Sequence, residues 1–406
     1  MSESIHTVTP GPNVTIDRLC ALDRSAQVAA GASYRIMEYA GEAGFFKLRP
    51  EWEALWSQSA EGTQFQNWHW QYLYWKCLAP NSEPLVLAAM DSDGKLVALA
   101  AFLVCRDQQS RLSKAAFVGD KRADYHQVLA CPGLLETPGL MMLEHFISKF
   151  RNRVPFMEFN NVPAASWTGT VLQKLCGATK KSQLNGRQWE TQAYSVALPA
   201  TVDEYLEQIG TRSRRDFRYD RRRLAKEFSV EFRVCSSLGG LEECLDAIET
   251  IDRARWGTNS RYCLASHRDF ERSVARAFSE MGIYRTFLLY LDGKAAAFVT
   301  CALVRGAAKV DAIGYDPSVG KGFSIGKILN FYAIEHCIRD GQTEYDLTRG
   351  SEDYKTWLGA KPNTNLHVRL YRSWLDRQLE SGATALISHL VKQSWMRNLY
   401  QRFARR

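Results

Sequence analysis

Apolar positions along the chain fall into helical and strand periods whose order of succession occurs twice. Residues 1–33 carry Pro, Gly, Ala and Ser without a sustained period and read as a loose leader. Alternation then predicts a strand from Tyr34 to Glu38, and Trp52, Leu55 and Trp56 share one face of a helix from Arg49 to Ser59. A meander follows: Pro84 to Met90, a turn at 91–94, Leu96 to Cys105, and a strand around Ala115 to Val118. A polar break opens at Gly119, followed by a helix from Gly139 to Phe150 and a strand from Val154 to Phe159.

The second half repeats this succession. Strands Ile283 to Leu291, Ala295 to Val304 and Lys309 to Ile313 lead through the break Gly314-Tyr315-Asp316 to a helix, Ile325 to Arg339, and a strand, Glu344 to Leu347. At an offset of roughly 200 residues, Gly94 matches Gly293, Gly119 matches Gly314, and Glu158 matches Asp346. Two α/β (α+β) domains are therefore expected, each a mainly antiparallel mixed sheet flanked by helices. They are placed at 34–198 and 199–375, joined where a strand, Ala193 to Leu198, gives way to a helix, Val202 to Ile209; a basic helical tail covers 376–406.

Composition agrees with this picture. A 406-residue chain with 46% hydrophobic and 24% charged residues has material for two ordinary globular cores. The N-terminus lacks a secretory profile and no apolar run reaches bilayer length, so a cytoplasmic protein is expected. The ten cysteines form no C-x-x-C pair, which favours buried free thiols and no metal site.

The net charge of +8 is uneven, because Thr211 to Lys226 holds eight basic and two acidic residues. This basic helix, Arg215 among its cations, suits a nucleotide, an anionic sugar precursor or lipid headgroups; nucleic acid ranks below these, since no groove-binding motif accompanies it. From Ala385 the tail spaces Ile387, Val391, Trp395, Leu399 and Phe403 four apart among basic residues. Packing on the protein's own sheet stands slightly ahead of peripheral contact with an anionic membrane at its inner face. The aromatic run Phe65, Trp68, Tyr72 and Trp75 has the spacing of one helical face, which favours core packing over ligand stacking.

Chemistry concentrates between Asp311 and Trp357. Ser324 stands where an N-cap belongs and Gly341 where a helix stops, while Gly320, Gly322 and Gly326 would let backbone N–H groups approach a phosphate, with Lys321 or Lys327 adding charge. Taken locally, plain turn chemistry is the stronger reading of these glycines. The next strand puts Tyr345 and Leu347 on one face and Glu344, Asp346 and Thr348 on the other, and ends in Arg349-Gly-Ser-Glu-Asp-Tyr354-Lys355-Thr-Trp357. That set holds acid–base and anion-binding groups, although a solvated loop with surface ion pairs would read similarly.

Several stretches carry a family resemblance: Trp52 with Thr63-Gln-Phe65-Gln-Asn-Trp68, the turn Gly119 to Asp124-Tyr125, the arginine-rich helix 212–223, and above all Tyr345-Asp346-Leu-Thr-Arg349-Gly350 through Tyr354-Lys355-Thr-Trp357. Over about 35–375 the chain resembles the CelD/BcsL-type acetyltransferases of the GNAT superfamily, relatives of the FemABX peptidyltransferases, whose chains hold two GNAT-like domains. The resemblance implies acyl transfer from acetyl-CoA, as co-substrate and without a metal, to an amine or hydroxyl of a sugar or polysaccharide precursor. It makes Asp346 the candidate base and Tyr354 the candidate acid. Gly320, Lys321, Gly322, Ser324 and Gly326 become the pyrophosphate cradle, and the strand carrying Ile313 holds the thioester carbonyl. Arg349, Lys355, Asp124, Tyr125, Trp68 and Arg215 become substrate binders. The family's usual cradle pattern, Gln or Arg followed by x-x-Gly-x-Gly or Ala, is met only loosely by Val319-Gly-Lys-Gly-Phe-Ser-Ile-Gly. Two other readings stand beside this one: aminoacyl transfer from tRNA to a peptidoglycan precursor, and a non-catalytic GNAT-like module in a polysaccharide-synthesis complex.

Overall fold

The computed structural model describes residues 33–120, 122–134, 136–178 and 185–392. The expected leader, up to residue 32, and the tail beyond Lys392 lie outside the described residues. The first half contains strand β1 (Arg35–Ala40), helices α1 (Gly41–Gln58) and α2 (Trp68–Leu73), and strands β2 (Glu83–Met90), β3 (Leu96–Arg106), β4 (Ser113–Phe117) and β5 (Leu129–Ala130). Helix α3 (Glu136–Phe150), strand β6 (Phe156–Pro163), helix α4 (Trp167–Ala178) and strand β7 (Asn185–Ala197) complete it. Next come helices α5 (Val202–Gln208) and α6 (Gly210–Glu227), strand β8 (Val230–Cys235), helices α7 (Leu241–Trp256) and α8 (Ala265–Glu280), and strands β9 (Tyr284–Leu291), β10 (Lys294–Val304) and β11 (Ala307–Tyr315). The chain continues through α9 (Ile325–Arg339), β12 (Glu344–Arg349), α10 (Asp353–Trp357), β13 (Lys361–Tyr371) and α11 (Trp374–Lys392).

Contacts divide the chain into two units. The N-terminal unit takes the described residues to Gln71, Ala79–Glu190 and those from Asn365 on; the C-terminal unit takes Tyr72–Leu78 and Thr191–Thr364. The repeat extends further than the sequence pattern shows, because β1-α1-α2-β2-β3-β4-α3-β6-α4-β7 and β8-α7-α8-β9-β10-β11-α9-β12-α10-β13 are one succession. Each begins with four antiparallel strands and then sets a fifth parallel to the fourth. Gly94 and Gly293 turn the matching hairpins with φ of 77° and 75°, a backbone region open to glycine. Glu158 and Asp346 occupy the last rung of the two parallel ladders, opposite Ala116 and Lys309.

The final strands are exchanged. Residues 193–197 of β7 pair with β12 in the C-terminal unit, whereas residues 365–371 of β13 pair with β6 in the N-terminal unit. Residues 365–375 thus leave the domain expected at 199–375 and join the N-terminal unit. Alternation marks which faces of a strand are buried and is silent about its hydrogen-bonding neighbour.

Each unit has its own apolar core. In the N-terminal unit Phe102, Phe117, Phe146 and Phe159 pack between sheet and α3, and Trp52, fully buried, donates its indole N–H to the Gln66 carbonyl at 2.9 Å. The aromatic run does not form one α-helical face. Phe65 lies in a 3-10 turn, Trp68 and Tyr72 on α2, and Trp75 in a π turn, Tyr74–Leu78, while Phe65, Trp68 and Trp75 are buried as packing residues.

In the C-terminal unit α5, α6 and α9 cover one face of the sheet; Phe217 of α6 stacks on Phe331 of α9 with ring centroids 3.4 Å apart. Gly341 (φ 74°) ends α9 as expected, its N–H bonded to the Ile338 carbonyl and that of Gln342 to Cys337. Ser324 stands at the N-cap without a side-chain capping bond, and its carbonyl receives the N–H groups of Lys327 and Ile328. Gly314 lies under the fully buried ring of Phe298: a Cβ there would stand 2.3 Å from a ring carbon. Gly314→Ala is accordingly expected to cost about 2 kcal/mol in urea unfolding.

All nine cysteines within the described residues are free, but only Cys235, Cys301 and Cys337 are buried and Cys263 is exposed, so burial of the thiols was overestimated. Among the described residues no group of His, Cys, Asp and Glu is arranged to hold a metal, and no helix is long and apolar enough to cross a membrane.

Candidate active site

The site forms where two parallel strands part. β11 and β12 pair at Ala307↔Glu344, Ala308↔Tyr345 and Lys309↔Asp346, and there the ladder stops. Beyond it β11 follows β10 to Tyr315 while β12 follows β7 to Arg349, so the sheet forks. Facing edges of backbone N–H and C=O groups come free of strand pairing at such a fork, ready for an extended ligand. Asp346 sits at its base, 3% exposed, with Lys309 Nζ donating to Oδ2 at 2.9 Å and the Thr348 N–H to Oδ1 at 2.8 Å.

Two irregularities shape the arms. On β11 the pairing passes from Val310↔Cys301 to Ala312↔Thr300, leaving Asp311 as a bulge that redirects its side chain toward Arg261, 4.0 Å away. On β12 Thr348 takes φ 54° and Gly350 φ 107°, turning the chain out of the strand. Lys355 holds this kink: its buried ammonium donates to the carbonyls of Thr348 (3.3 Å), Arg349 (2.5 Å) and Gly350 (3.1 Å) and pairs with Glu352 at 3.2 Å. Expected to bind substrate, Lys355 instead braces the backbone, since its proton donors are engaged inside the protein.

Beyond Tyr315 the chain makes the glycine turn. Gly320 and Gly322 hold φ of 63° and 82°; a Cβ at Gly320 would press on Ile325 and Leu291 at 3.0 Å, whereas one at Gly322 would meet nothing nearer than Arg223 Nη2 at 3.6 Å. Arg223, from the basic helix α6, donates to the Gly322 carbonyl at 3.0 Å and lies over the Phe323 ring at 4.0 Å. The first turn of α9 follows, with N–H groups that a helix cannot satisfy internally and the positive end of its dipole. Replacing Arg223 by Met removes the turn's brace and is expected to cost about 1 kcal/mol in urea unfolding.

Near the mouth Arg255 of α7 lies over the rings of Tyr315 at 4.2 Å and Trp256 at 4.9 Å. A Cβ at Gly326 would reach Tyr315 at 3.8 Å, and Lys327 lies over Trp357 at 5.4 Å, so α7, α9 and α10 meet around the end of β11. Burial first, and then Glu352, pushes the Tyr354 phenol well above its ordinary range while Arg255 opposes them; the phenol stays protonated at neutral pH. Arg261, paired with Asp252, Glu271 and Asp311, ties the loop after α7 to β11.

The structure thus gathers Asp346, Arg349, Tyr354, Ile313 and the cradle residues Gly320, Lys321, Gly322, Ser324 and Gly326 within the C-terminal unit. Arg215 is on that unit too, 77% exposed on α6 and 3.6 Å from Asp216. Trp68, Asp124 and Tyr125 lie in the N-terminal unit and are buried. Trp68 donates to the Phe45 carbonyl, and the Asp124 and Tyr125 carbonyls receive Asn365 and Gln66. Lys309, Asp311, Arg255 and Arg261 went unnoticed as site residues. The Lys309–Asp311 alternation on a strand already under suspicion was the available signal; Arg255, on α7, and Arg261, in the loop after it, belong to no motif.

A mainly antiparallel sheet that forks at a parallel pair, with a glycine turn and helix start at its mouth, is a GNAT-like fold. Residues 211–356 match the family model of the acetyltransferase (GNAT) domain, a span within the C-terminal unit. Among solved structures the chain is similar to FemX (TM-score 0.56, 11% identity, covering 82% of this chain and 98% of that one). It is also similar to a conserved protein of unknown function from Bacteroides thetaiotaomicron (0.52, 13%, 80% and 97%) and to L-PGS from Bacillus licheniformis (0.51, 13%, 84% and 96%). At such identities the likeness is one of fold. No curated protein sequence matches the chain.

Proposed function

We propose that the protein transfers an acetyl or similar acyl group from acyl-CoA to an amine or hydroxyl of a sugar or polysaccharide precursor, in the manner of the CelD/BcsL-type enzymes that its motifs resemble. The observation that carries this reading is the fork: a strand edge freed beyond Lys309, running toward a glycine turn at the start of α9. Its shape suits a thioester arm ending in a pyrophosphate. Acyl-CoA would supply the activated acyl carbon; the edge of β11 at Ala312 and Ile313 would offer N–H groups to the thioester carbonyl, and the turn 320–326 would hold the phosphates.

Asp346 takes the proton of the attacking amine or hydroxyl. Lys309 holds Oδ2 and the Thr348 N–H holds Oδ1, which keeps the carboxylate aimed at the base of the fork, where it serves as the base. Tyr354, kept protonated, gives its proton to the departing thiolate. Arg349, at the strand exit, would bind the acceptor. The domain division at 34–198 and 199–375 is kept in this reading as two GNAT-like halves whose final strands are exchanged, with the chemistry in the second.

A thermal-shift screen with acetyl-CoA, free CoA and sugar nucleotides, followed by incubation with radiolabelled acetyl-CoA and amino sugars, tests the proposal. Stabilisation by acetyl-CoA with label transfer is expected; neither binding nor transfer would overturn it. The likeness of fold to FemX and the exposed cations of α6 favour a second reading, aminoacyl transfer from tRNA. Charged tRNA binding more tightly than acetyl-CoA, and weakening steeply with salt, would select that one.

A further inference from the structure

Helix α11 is inside out. Both its carboxylates face the protein: Asp376 (4% exposed) is paired with Arg372 at 2.7 Å, and Glu380 (1% exposed) with Arg369 at 2.7 Å while accepting from Tyr371 and Thr384. Its apolar residues face out, with Trp374, Leu375, Leu379 and Leu386 exposed by 57, 59, 54 and 59%. At steps of four and seven, the three leucines form one stripe. It differs from the stripe expected through Ile387 and Val391, because Ile387 is half-buried.

Neither acidic side chain of the helix reaches the stripe, and the chain that follows is cationic. From Ser381 to Arg406 it carries five Lys and Arg and no Asp or Glu. A second copy of the chain is the weaker occupant, because four side chains fall short of the ~800 Å² per partner that a stable dimer buries. An apolar stripe ending in a tryptophan, bare of carboxylates and followed by cations, has the chemistry of an interfacial helix. We propose that α11 is a docking face for an anionic bilayer, its exposed leucines and Trp374 entering the acyl boundary and the cationic sequence that follows setting the preference for anionic over neutral lipid. The face belongs to the N-terminal unit and does not depend on the acyl-transfer reading.

The test uses the full chain and extruded vesicles, either of mixed phosphatidylglycerol and phosphatidylcholine or of phosphatidylcholine alone, with no acyl donor present. Wild type is expected to sediment with the anionic vesicles, less so as salt rises, and to stay in solution with the neutral ones. The L375S/L379S/L386S variant should lose about a hundredfold in partitioning, with its circular dichroism and melting temperature unchanged. A single Leu379→Ser change, with a smaller loss, guards against misfolding of the triple variant. Three results would each overturn the proposal: no sedimentation of wild type, equal sedimentation of the triple variant, or a wild-type dimer that the triple variant turns into a monomer.

Discussion

Asp346→Asn is expected to lower the rate of acyl transfer by about 10³-fold while leaving acetyl-CoA affinity within a few fold. The substitution keeps the size and most of the hydrogen bonding of a buried side chain, but the amide cannot take a proton and leaves the Lys309 ammonium facing a neutral group at the fork. Lys309→Met should cost less, about tenfold, because the base survives but loses the group that aims it. In the double variant the two losses should fail to add, since both act through one pair. Rates come from release of the CoA thiol with an acceptor identified in the screen. Wild-type turnover in Asp346→Asn, with binding intact, would remove Asp346 from the chemistry and leave it as a link between the two strands.

Lys355→Met should destabilise the fold by about 3 kcal/mol, read from the urea midpoint at unchanged m-value. Methionine fills the space of the alkyl stem yet leaves the carbonyls of Thr348, Arg349 and Gly350 without the ammonium that gathers them. The ion pair with Glu352 adds little, because that carboxylate is 59% exposed and screened by water. Since the kink carries Arg349 and leads directly to Tyr354, the surviving folded protein should also transfer more slowly. A loss below ~1 kcal/mol would show that water replaces the ammonium there.

Much of the frame was legible in the residues. Alternation in β9, β10 and β11, and the apolar series of α9 closed by Gly341, gave those elements nearly to their ends. The repeat was visible in Gly94 and Gly293 and in Glu158 and Asp346, because hairpin turns and ladder ends impose local chemistry. Elements β8, α7 and α8 escaped, although Arg255 of α7 and Arg261 of the loop after it reach the end of β11 and its bulge. In the tail after Arg349 the sequence shows chemical groups but no helical period, and a five-residue helix stands there, since α10 is fixed by Lys355 reaching back to the kink and by Trp357 beside Lys327, contacts that no local period records.

What the sequence by itself determined is the succession of elements and the concentration of acid–base groups between Asp311 and Trp357, because periodicity and turn residues act over a few neighbours. Only the tertiary structure decided which of those groups gather at the fork and which hold the frame. Asp346 lies at the last rung before two strands part, Lys355 is turned inward onto carbonyls, and Trp68, Asp124 and Tyr125 lie buried in the other unit. It also decided that the final strands change places and that α11 shows its leucines to solvent. A strand's partner and a helix's covered face are set by contacts between residues far apart in the chain, and these become definite only when the whole core closes.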